Sequence, residues 1–301
     1  MSEYHNPVLL DESISALVDS PDGTYADATF GGGGHSRELL SRLSPKGRLI
    51  AFDRDSDAAS QAPDDPRLRL IHNNFRFIHN YSLLYAPEGF DGILADLGVS
   101  SHQFDTAERG FSFRYDAPLD MRMNIQAKQT AADVLNNYGQ QELERIFRLY
   151  GELENASRVT KLILQAREKK PLETTGELYE ALKPVLPAFA EHKFLAKLYQ
   201  AIRIEVNQEM RSLEKFLQGA VKALKPGGKI AIITYHSLED RMVKNFFKAG
   251  NISGEVEKDS FGRQLAPLRA VNRKPLLPSE EEISQNTRAR SAKLRVAVKE
   301  A

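Results

Sequence analysis

The sequence predicts an α/β protein, a mostly parallel Rossmann-like sheet interrupted by an all-helical insertion. Short apolar runs alternate with amphipathic stretches in the first part of the chain, and this pattern resumes in the last part. The segment between them reads almost entirely as helix. Because strands that alternate with helices form parallel sheets covered on both faces, we expect one sheet domain from residues 1–107 and 205–301. Residues 108–204 are expected to form the helical domain.

The first part of the chain supplies four predicted strands and one clear helix. Leu39, Leu40 and Leu43 lie at helical spacing in "HSRELLSRL". The predicted strands are "TYADATF", "GRLIAFDRD", "LRLIHNNF" and "FDGILADLGVSS".

The helical segment and the last part of the chain complete the prediction. Leu143, Ile146, Phe147 and Tyr150 share one helix face, and Thr174 with Glu177 resembles a capping box. Further on, "SLEKFLQGAVKALKPGGKIAIITYHS" reads as an amphipathic helix, a Pro-Gly-Gly turn and an apolar strand. The alternation in "AKLRVAV" predicts a closing strand.

Composition excludes several classes of chemistry. The 301 residues include no cysteine, which rules out disulfides, cysteine-bound metals and a thiolate that attacks a pyrimidine ring. We predict no metal site. No apolar run approaches the roughly 20 residues of a membrane helix, and no signal peptide is evident, so we expect a cytoplasmic protein. From Arg241 onward, basic residues outnumber acidic ones by 13 to 7, which suits either a polyanion or a solvated face.

Four glycines, Gly31 to Gly34, separate the first strand from the first helix of the sheet domain. A phosphate loop of the NTPase kind needs Lys-Ser/Thr after its glycines, whereas His35-Ser36 follows here. Ser36 also stands where the dinucleotide fingerprint requires its third glycine. Neither pattern is satisfied, although close approach by a nucleoside remains consistent with the loop.

Two carboxylates at predicted strand ends point to the ligand. Asp53 ends the second strand, where a carboxylate accepts hydrogen bonds from ribose hydroxyls; the alternative is a surface residue beside Arg54. Asp96 ends the fourth strand beside the expected switch point of the sheet. Together with "LKPGGKIAII", a turn and strand often seen in methyltransferases, these features favour S-adenosyl-L-methionine over NAD.

Eight motifs in order resemble one family, the bacterial RsmH/MraW methyltransferases. The motifs are "HNPVLLDE", "DATFGGGGHS", "DLGVSS", "ERGFSFRYDAPLDMRM", "TAADVLN", "YHSLEDRMVK", "RKPLLPSEEE" and "NTRARSAKLRVA". The resemblance implies a class I S-adenosylmethionine-dependent methyltransferase fold. It also implies methylation of the exocyclic N4 of one cytidine in the decoding region of small-subunit (16S) ribosomal RNA.

The same resemblance implies which residues contact the cofactor. Those positions are Gly33, Gly34, His35, Asp53 on the ribose, Phe75 against adenine, Asp96 and Gln103. The chain departs from the family's common form at His102, where many members have proline. The helix "EHKFLAKLYQAIR" replaces a more usual "HPATRTFQALR", so RNA contacts there can differ.

The N4 amine of cytosine is a poor nucleophile, so an acceptor for its N–H would assist transfer. Asp96 or a backbone carbonyl of the "DLGVSS" turn can take that role. Ser100 and Ser101 either orient the base or cap the following turn. His236 closes the fifth strand and can face the reacting groups. The alternative is that its ring packs against the protein while Ser237 caps the next helix. We favour a functional His236.

The expected partner is ribosomal RNA or the small ribosomal subunit, met by a monomer or weak homodimer. Aromatic residues interleaved with arginines suit a splayed-out nucleotide, which predicts RNA contacts from Arg109, Phe111, Phe113 and Arg114. One of the two phenylalanines could instead anchor its loop. Arg288, Arg290, Lys293 and Arg295 either follow the RNA backbone or pair with Glu280 to Glu282. A non-catalytic RNA-binding factor and an NAD-linked dehydrogenase are the weaker alternatives.

Overall fold

The computed structural model describes residues 7–300, without the side chain of Ser101. Within this range the chain forms two compact units. Unit 1 runs up to Gly98 and resumes at Met210, and unit 2 is Val99–Glu209.

Unit 1 contains a seven-stranded sheet. Its strands are β1 (Thr24–Asp27), β2 (Arg48–Asp53), β3 (Leu68–His72), β4 (Phe90–Asp96), β5 (Leu224–Thr234), β6 (Leu268–Ala270) and β7 (Lys293–Lys299). Their order is β3-β2-β1-β4-β5-β7-β6, and only the pairings of β7 with β5 and β6 are antiparallel. This topology confirms the predicted mostly parallel Rossmann-like fold, including the closing strand.

Helices cover both faces of this sheet. They are α1 (Leu10–Leu17), α2 (Gly34–Arg42), α3 (Ile78–Tyr85), α10 (Glu209–Ala223), α11 (Ser237–Ala249) and α12 (Glu280–Gln285). Alternate strand residues enter two different cores: Ile93 of β4 packs with side chains of α3, α10 and α11, and Leu94 packs with those of α1 and α2. Because both faces are buried, the strands read as continuous apolar runs.

The Pro-Gly-Gly segment lies within β5 instead of preceding it. The pairing of β4 with β5 steps from Phe90–Leu224 to Gly92–Lys229, so the intervening residues of β5 bulge out of register. Gly227, with φ of 78°, supplies the left-handed conformation that this bulge needs.

The regular elements described in unit 2 are helices. They are α4 (Ser101–Asp105), α5 (Ala131–Asn137), α6 (Gln140–Leu149), α7 (Ala156–Lys169), α8 (Thr175–Leu182) and α9 (Glu191–Asn207). The predicted apolar stripe of α6 is in place, since Leu143, Ile146 and Phe147 are fully buried. Thr174 and Glu177 form the predicted capping box of α8. Unit 2 therefore has its own apolar core.

Both unit boundaries differ from the predicted ones at 107/108 and 204/205. Ala107 lies in a 3-10 turn, Ala107–Arg109, whose Arg109 is buried in unit 2. At the other boundary, α9 continues to Asn207, whose amide bonds the backbone of Met121 and Met123. The chain therefore enters unit 2 earlier, and leaves it later, than the change in sequence texture indicates.

Candidate active site

The carboxyl ends of β1 and β4 meet at the point where the strand order reverses. Connections from β1 lead to β2 on one side, and β4 pairs with β1 on the other. In open α/β sheets ligands bind outside the carboxyl ends of the strands at such a switch point. The strand-end residues of unit 1 therefore form the candidate site.

The glycine run occupies the turn from β1 to α2. Gly31 and Gly33 adopt positive φ of 52° and 75°. A Cβ on Gly33 would lie 2.7 Å from the ring of Phe30, and one on Gly34 would overlap Pro7, whereas one on Gly32 would meet no atom within 4 Å. The protein's own packing thus requires glycine at 33 and 34, and Gly32 leaves open space beside the backbone.

Asp53 fixes this turn from the tip of β2. Its Oδ2 accepts a hydrogen bond from Gly31 N at 2.7 Å, and its Oδ1 accepts one from Asp55 N at 2.8 Å. Burial raises the pKa of the carboxyl group, and the backbone donors only partly offset this. The half-buried Asp53 is therefore part of the sheet edge, with unused acceptor capacity on both oxygens.

Asp27, at the end of β1, is a buried acid that the sequence analysis did not single out. It is 1% exposed, its Oδ2 accepts from Ser36 Oγ at 2.6 Å, and its Oδ1 accepts from Thr29 N at 3.0 Å. Burial raises its pKa. Ser36 therefore stands in place of the dinucleotide-type glycine to satisfy a buried carboxylate.

Asp96 is the last residue of β4, and its two carboxylate oxygens have different neighbours. Its Oδ1 accepts from Tyr235 Oη at 2.8 Å, and its Oδ2 lies 3.7 Å from Nδ1 of His35. Its backbone N–H donates to Thr29 Oγ1 at 2.6 Å. The side chain is 24% exposed, and burial raises its pKa to about 6 despite the opposing effects of His35 and Tyr235.

His35 is held in one orientation by the segment that precedes α1. Its Nε2 lies 3.0 Å from the carbonyl oxygen of Val8, which requires the proton on Nε2. The ring is 6% exposed and presents Nδ1 toward Asp96. His35 thus lies at the sheet edge and contributes to the environment of Asp96, while its predicted contact with the cofactor stays a prediction.

Tyr235 was missed by the sequence reasoning although it lies in a quoted motif, because one tyrosine at a strand end carries no distinctive spacing. Its backbone N–H donates to Glu239 Oε2 at 2.9 Å, and burial beside Asp96 raises its pKa well above the usual value. The phenol therefore stays protonated and donates its hydrogen to Asp96.

His236, rather than Ser237, is the N-cap of α11. Its Nδ1 accepts from Glu239 N at 3.4 Å, and its Nε2 lies 3.1 Å from Glu239 Oε1. The suggestion that Ser237 caps this helix is wrong. The catalytic role predicted for His236 stays a prediction, and the observed contacts of its ring are those of a cap.

Phe75 follows β3 and packs edge-on against Phe216 of α10, with 5.1 Å between ring centroids. It is half-buried, so part of its surface is accessible. This position is compatible with the predicted contact to an adenine ring.

Ser100 and Gln103 belong to unit 2 and cap α4. Ser100 Oγ accepts from Gln103 N at 3.2 Å, and Gln103 Oε1 accepts from Ser100 N at 3.3 Å. Of the two roles considered for Ser100, the structure shows the capping one. Gln103 is 4% exposed, and its predicted contact with the cofactor stays a prediction.

Two of the four residues predicted to contact RNA are interior residues of unit 2. Arg109 is 8% exposed and donates to the carbonyl oxygens of Arg122 and Met123, and Phe111 is 4% exposed within the apolar core. Both side chains therefore lie inside unit 2, Arg109 against its loop backbone and Phe111 in its apolar core, and their predicted RNA contact stays a prediction. Phe113 is half-buried and Arg114 is exposed.

In the basic C-terminal segment, part of the charge is used within unit 1. Arg295 and Lys293 both pair with Asp240, at 2.7 and 3.3 Å, instead of with Glu280 to Glu282. Arg290 is exposed. Within residues 7–300, no helix combines the length and apolar character needed to cross a membrane.

Comparison with known proteins places these features among methylases. A family model described as the MraW methylase family matches residues 2–300. A protein named ribosomal RNA small subunit methyltransferase H, from Bacteroides fragilis, is 55% identical over 98% of this chain and 97% of its own. Proteins of the same name from Parabacteroides distasonis and Flavobacterium johnsoniae are 52% and 53% identical, over 98% and 99% of this chain and 97% and 98% of theirs.

Proposed function

The chain belongs to the MraW methylase family, as its motifs predict, and from this premise we propose its reaction. It transfers a methyl group from S-adenosyl-L-methionine to the exocyclic N4 of a specific cytidine in the decoding region of small-subunit (16S) ribosomal RNA. The observation that carries the proposal is the ionisable Asp96 at the switch point of the sheet, oriented by Tyr235. The names of the relatives support ribosomal RNA as the substrate.

The sheet edge fits a nucleoside cofactor. Gly32 leaves open space beside its backbone, Asp53 retains acceptor capacity for hydroxyls, and Phe75 offers part of an aromatic face. These three residues would hold S-adenosyl-L-methionine, and its sulfonium supplies an electrophilic methyl group. Gly33 and Gly34 shape the same turn from within.

Asp96 performs the protein's part of the proton transfer. The nitrogen lone pair of the amine is delocalised into the cytosine ring, and an acceptor on its N–H restores nucleophilicity as the new bond forms. Because Tyr235 occupies Oδ1, Oδ2 is the oxygen left to accept that hydrogen. The pKa of about 6 leaves the carboxylate ionised at neutral pH yet basic enough to take the N4 proton.

The remaining parts of the proposal follow from the substrate. We expect the enzyme to work in the cytoplasm, where its substrate is rRNA or the small subunit. We expect it to act as a monomer or a weak homodimer. Unit 2 serves as the part that recognises RNA. A non-catalytic RNA-binding factor would not need a carboxylate that a tyrosine orients at the switch point of the sheet, so the geometry favours an enzyme.

The decisive experiment incubates the purified protein with S-adenosyl-L-methionine and small subunits from cells that lack this modification. Digestion of the RNA and mass spectrometry should then detect N4-methylcytidine at one position. Free 16S rRNA serves as the parallel substrate. If no methyl group is transferred to either substrate, or if it is found on another atom, the proposed reaction is wrong.

A further inference from the structure

The loop after the buried Phe111 is held rigidly on unit 2. The ring of Phe113 packs against His192 and Tyr199 of α9, with centroids 5.7 and 5.3 Å apart. The backbone oxygen of Tyr115 accepts from Thr175 Oγ1 at 2.7 Å. The backbone here is therefore fixed from two helices, whereas the side chain of Tyr115 is 60% exposed.

A second exposed aromatic residue precedes the helix against which this loop packs. Phe189 lies three residues before His192, in a turn closed by Ala190 N donating to Pro187 O at 3.1 Å. Its side chain is fully exposed. We call Phe113, Tyr115, Phe189 and His192 the aromatic platform. Exposed aromatic rings on an ordered backbone commonly mark a binding surface.

Two cations and two acids flank the platform, and they differ in their contacts. Within residues 7–300, the exposed side chains of Arg114 and Lys193 form no ion pair. The neighbouring acids are engaged: Asp116 accepts from Gly176 N at 2.9 Å, and Glu191 accepts from Tyr179 Oη at 3.0 Å. The surface thus combines flat apolar faces with unpaired cations.

We propose that the aromatic platform binds an unpaired segment of RNA, whose bases stack on Tyr115 and Phe189 while Arg114 and Lys193 contact its phosphates. Stacking on aromatic side chains with basic residues alongside is the usual way to hold single-stranded RNA. The proposal rests on the proposed function in taking RNA as the substrate, and it assigns the recognition to a defined surface. The platform replaces Arg109 and Phe111 as the expected contact.

The test measures the affinity of the full-length protein for a labelled single-stranded RNA by fluorescence anisotropy. We expect Phe189→Ala and Tyr115→Ala each to weaken binding about fivefold or more. Tyr115→Trp should restore wild-type affinity, since stacking needs only an aromatic face. Leu149→Ala, which removes another exposed apolar side chain of unit 2, is the matched control and should change nothing.

Electrostatics gives an independent readout. Arg114→Gln should reduce the dependence of log Kd on log salt by about 0.7, the contribution of one phosphate contact to a single strand. A duplex of the same sequence should bind more weakly, because its bases are not available for stacking. Equal competition by polyglutamate would show that the surface binds any polyanion, and this would overturn the proposal.

The methyl-transfer assay separates this proposal from the proposed function. If the wild-type protein methylates small subunits but both alanine variants bind RNA normally, the platform proposal is wrong and the enzymatic one stands. If RNA binding depends on the platform but no methyl group is transferred, the platform proposal stands and the enzymatic one is wrong.

Discussion

The acidic residues at the sheet edge of unit 1 differ from those inside unit 2. Asp27, Asp53 and Asp96 stand at the ends of three neighbouring strands, and burial raises the pKa of each. Their hydrogen-bond donors are backbone amides, a serine and a tyrosine. A carboxylate in such surroundings costs free energy when it is charged.

Several acids in unit 2 are instead paired with cations. Burial raises the pKa of Asp120, but the hydrogen bonds from Arg122 outweigh this and lower it overall. Lys170, together with backbone amides, lowers the pKa of Glu177 to about 2. These carboxylates remain charged through the whole physiological range and fix loops and helix ends.

This contrast indicates that the charged acids at the sheet edge of unit 1 reduce the stability of the fold. In unit 2, ion pairs stabilise the charged form of Asp120 and Glu177. At the sheet edge of unit 1, burial raises the pKa of the acids and so destabilises their charged form. Groups with perturbed pKa values that lie together at a switch point are typical of a site where protons move. Three substitutions, two of them with a matched control, test these two regions.

The largest effect is expected from Asp96→Asn. We predict a loss of methyl transfer of about 100-fold or more, because the amide cannot accept the N4 proton. Stability should respond in the opposite direction. The folded pKa, about 6, exceeds the ordinary value of 3.8, so the contribution of this group to stability is present at low pH and lost as pH rises through 6. At pH 8, Asp96→Asn should therefore unfold at a temperature no lower than the wild-type protein.

The matched control is Asp91→Asn at the other end of β4. Asp91 accepts from Thr24 N and pairs with Lys225, so it behaves as a scaffold acid. Its replacement should lower the melting temperature and leave the transfer rate of the folded protein unchanged. If both variants lost stability at pH 8 equally, the contrast between the two kinds of acid would be wrong.

Arg109→Ala is expected to act on stability. The change removes two hydrogen bonds from a buried guanidinium to backbone carbonyls, which should cost about 1–3 kcal/mol in the free energy of unfolding. Denaturant titration measures this, and Arg114→Ala, at an exposed position, should cost almost nothing. A variant with wild-type stability but weakened RNA binding would restore the original expectation of a direct RNA contact.

Tyr235→Phe should have the smallest effect, and one that depends on pH. The hydrogen bond from Tyr235 lowers the pKa of Asp96, so its removal should move the acidic limb of the rate profile to higher pH. The other groups that face Asp96, namely His35, Asp27 and Glu239, are unchanged. We expect about a 2- to 10-fold loss at pH 7 that recovers near pH 9. An equal loss at every pH would indicate a purely structural tyrosine.

The sequence predicts the parts of the site that depend on local position. A carboxylate at the end of an apolar run must stand at the sheet edge, which is why Asp53 and Asp96 could be assigned. The same logic finds the closing strand, since the alternation of polar and apolar residues in "AKLRVAV" predicts a strand.

The remaining features depend on contacts between distant residues. Gly34 must be glycine because of Pro7, and Asp96 is oriented by Tyr235, more than a hundred positions away. The segment around Arg109 and Phe111 has the composition of an RNA-binding loop, but the helices of unit 2 cover it. Contacts between distant residues, and the burial of a loop by helices, leave no periodic pattern in the sequence from which they could be predicted.

The place of β7 in the sheet has a consequence for how the protein is made. Residues 293–299 follow every other regular element along the chain, yet they lie between β5 and β6. Unit 2 is one continuous segment and can close its core during translation, while the sheet of unit 1 lacks an inner strand until residue 299 has left the ribosome. The sheet that carries Asp96 and Tyr235 is therefore completed after the core of unit 2.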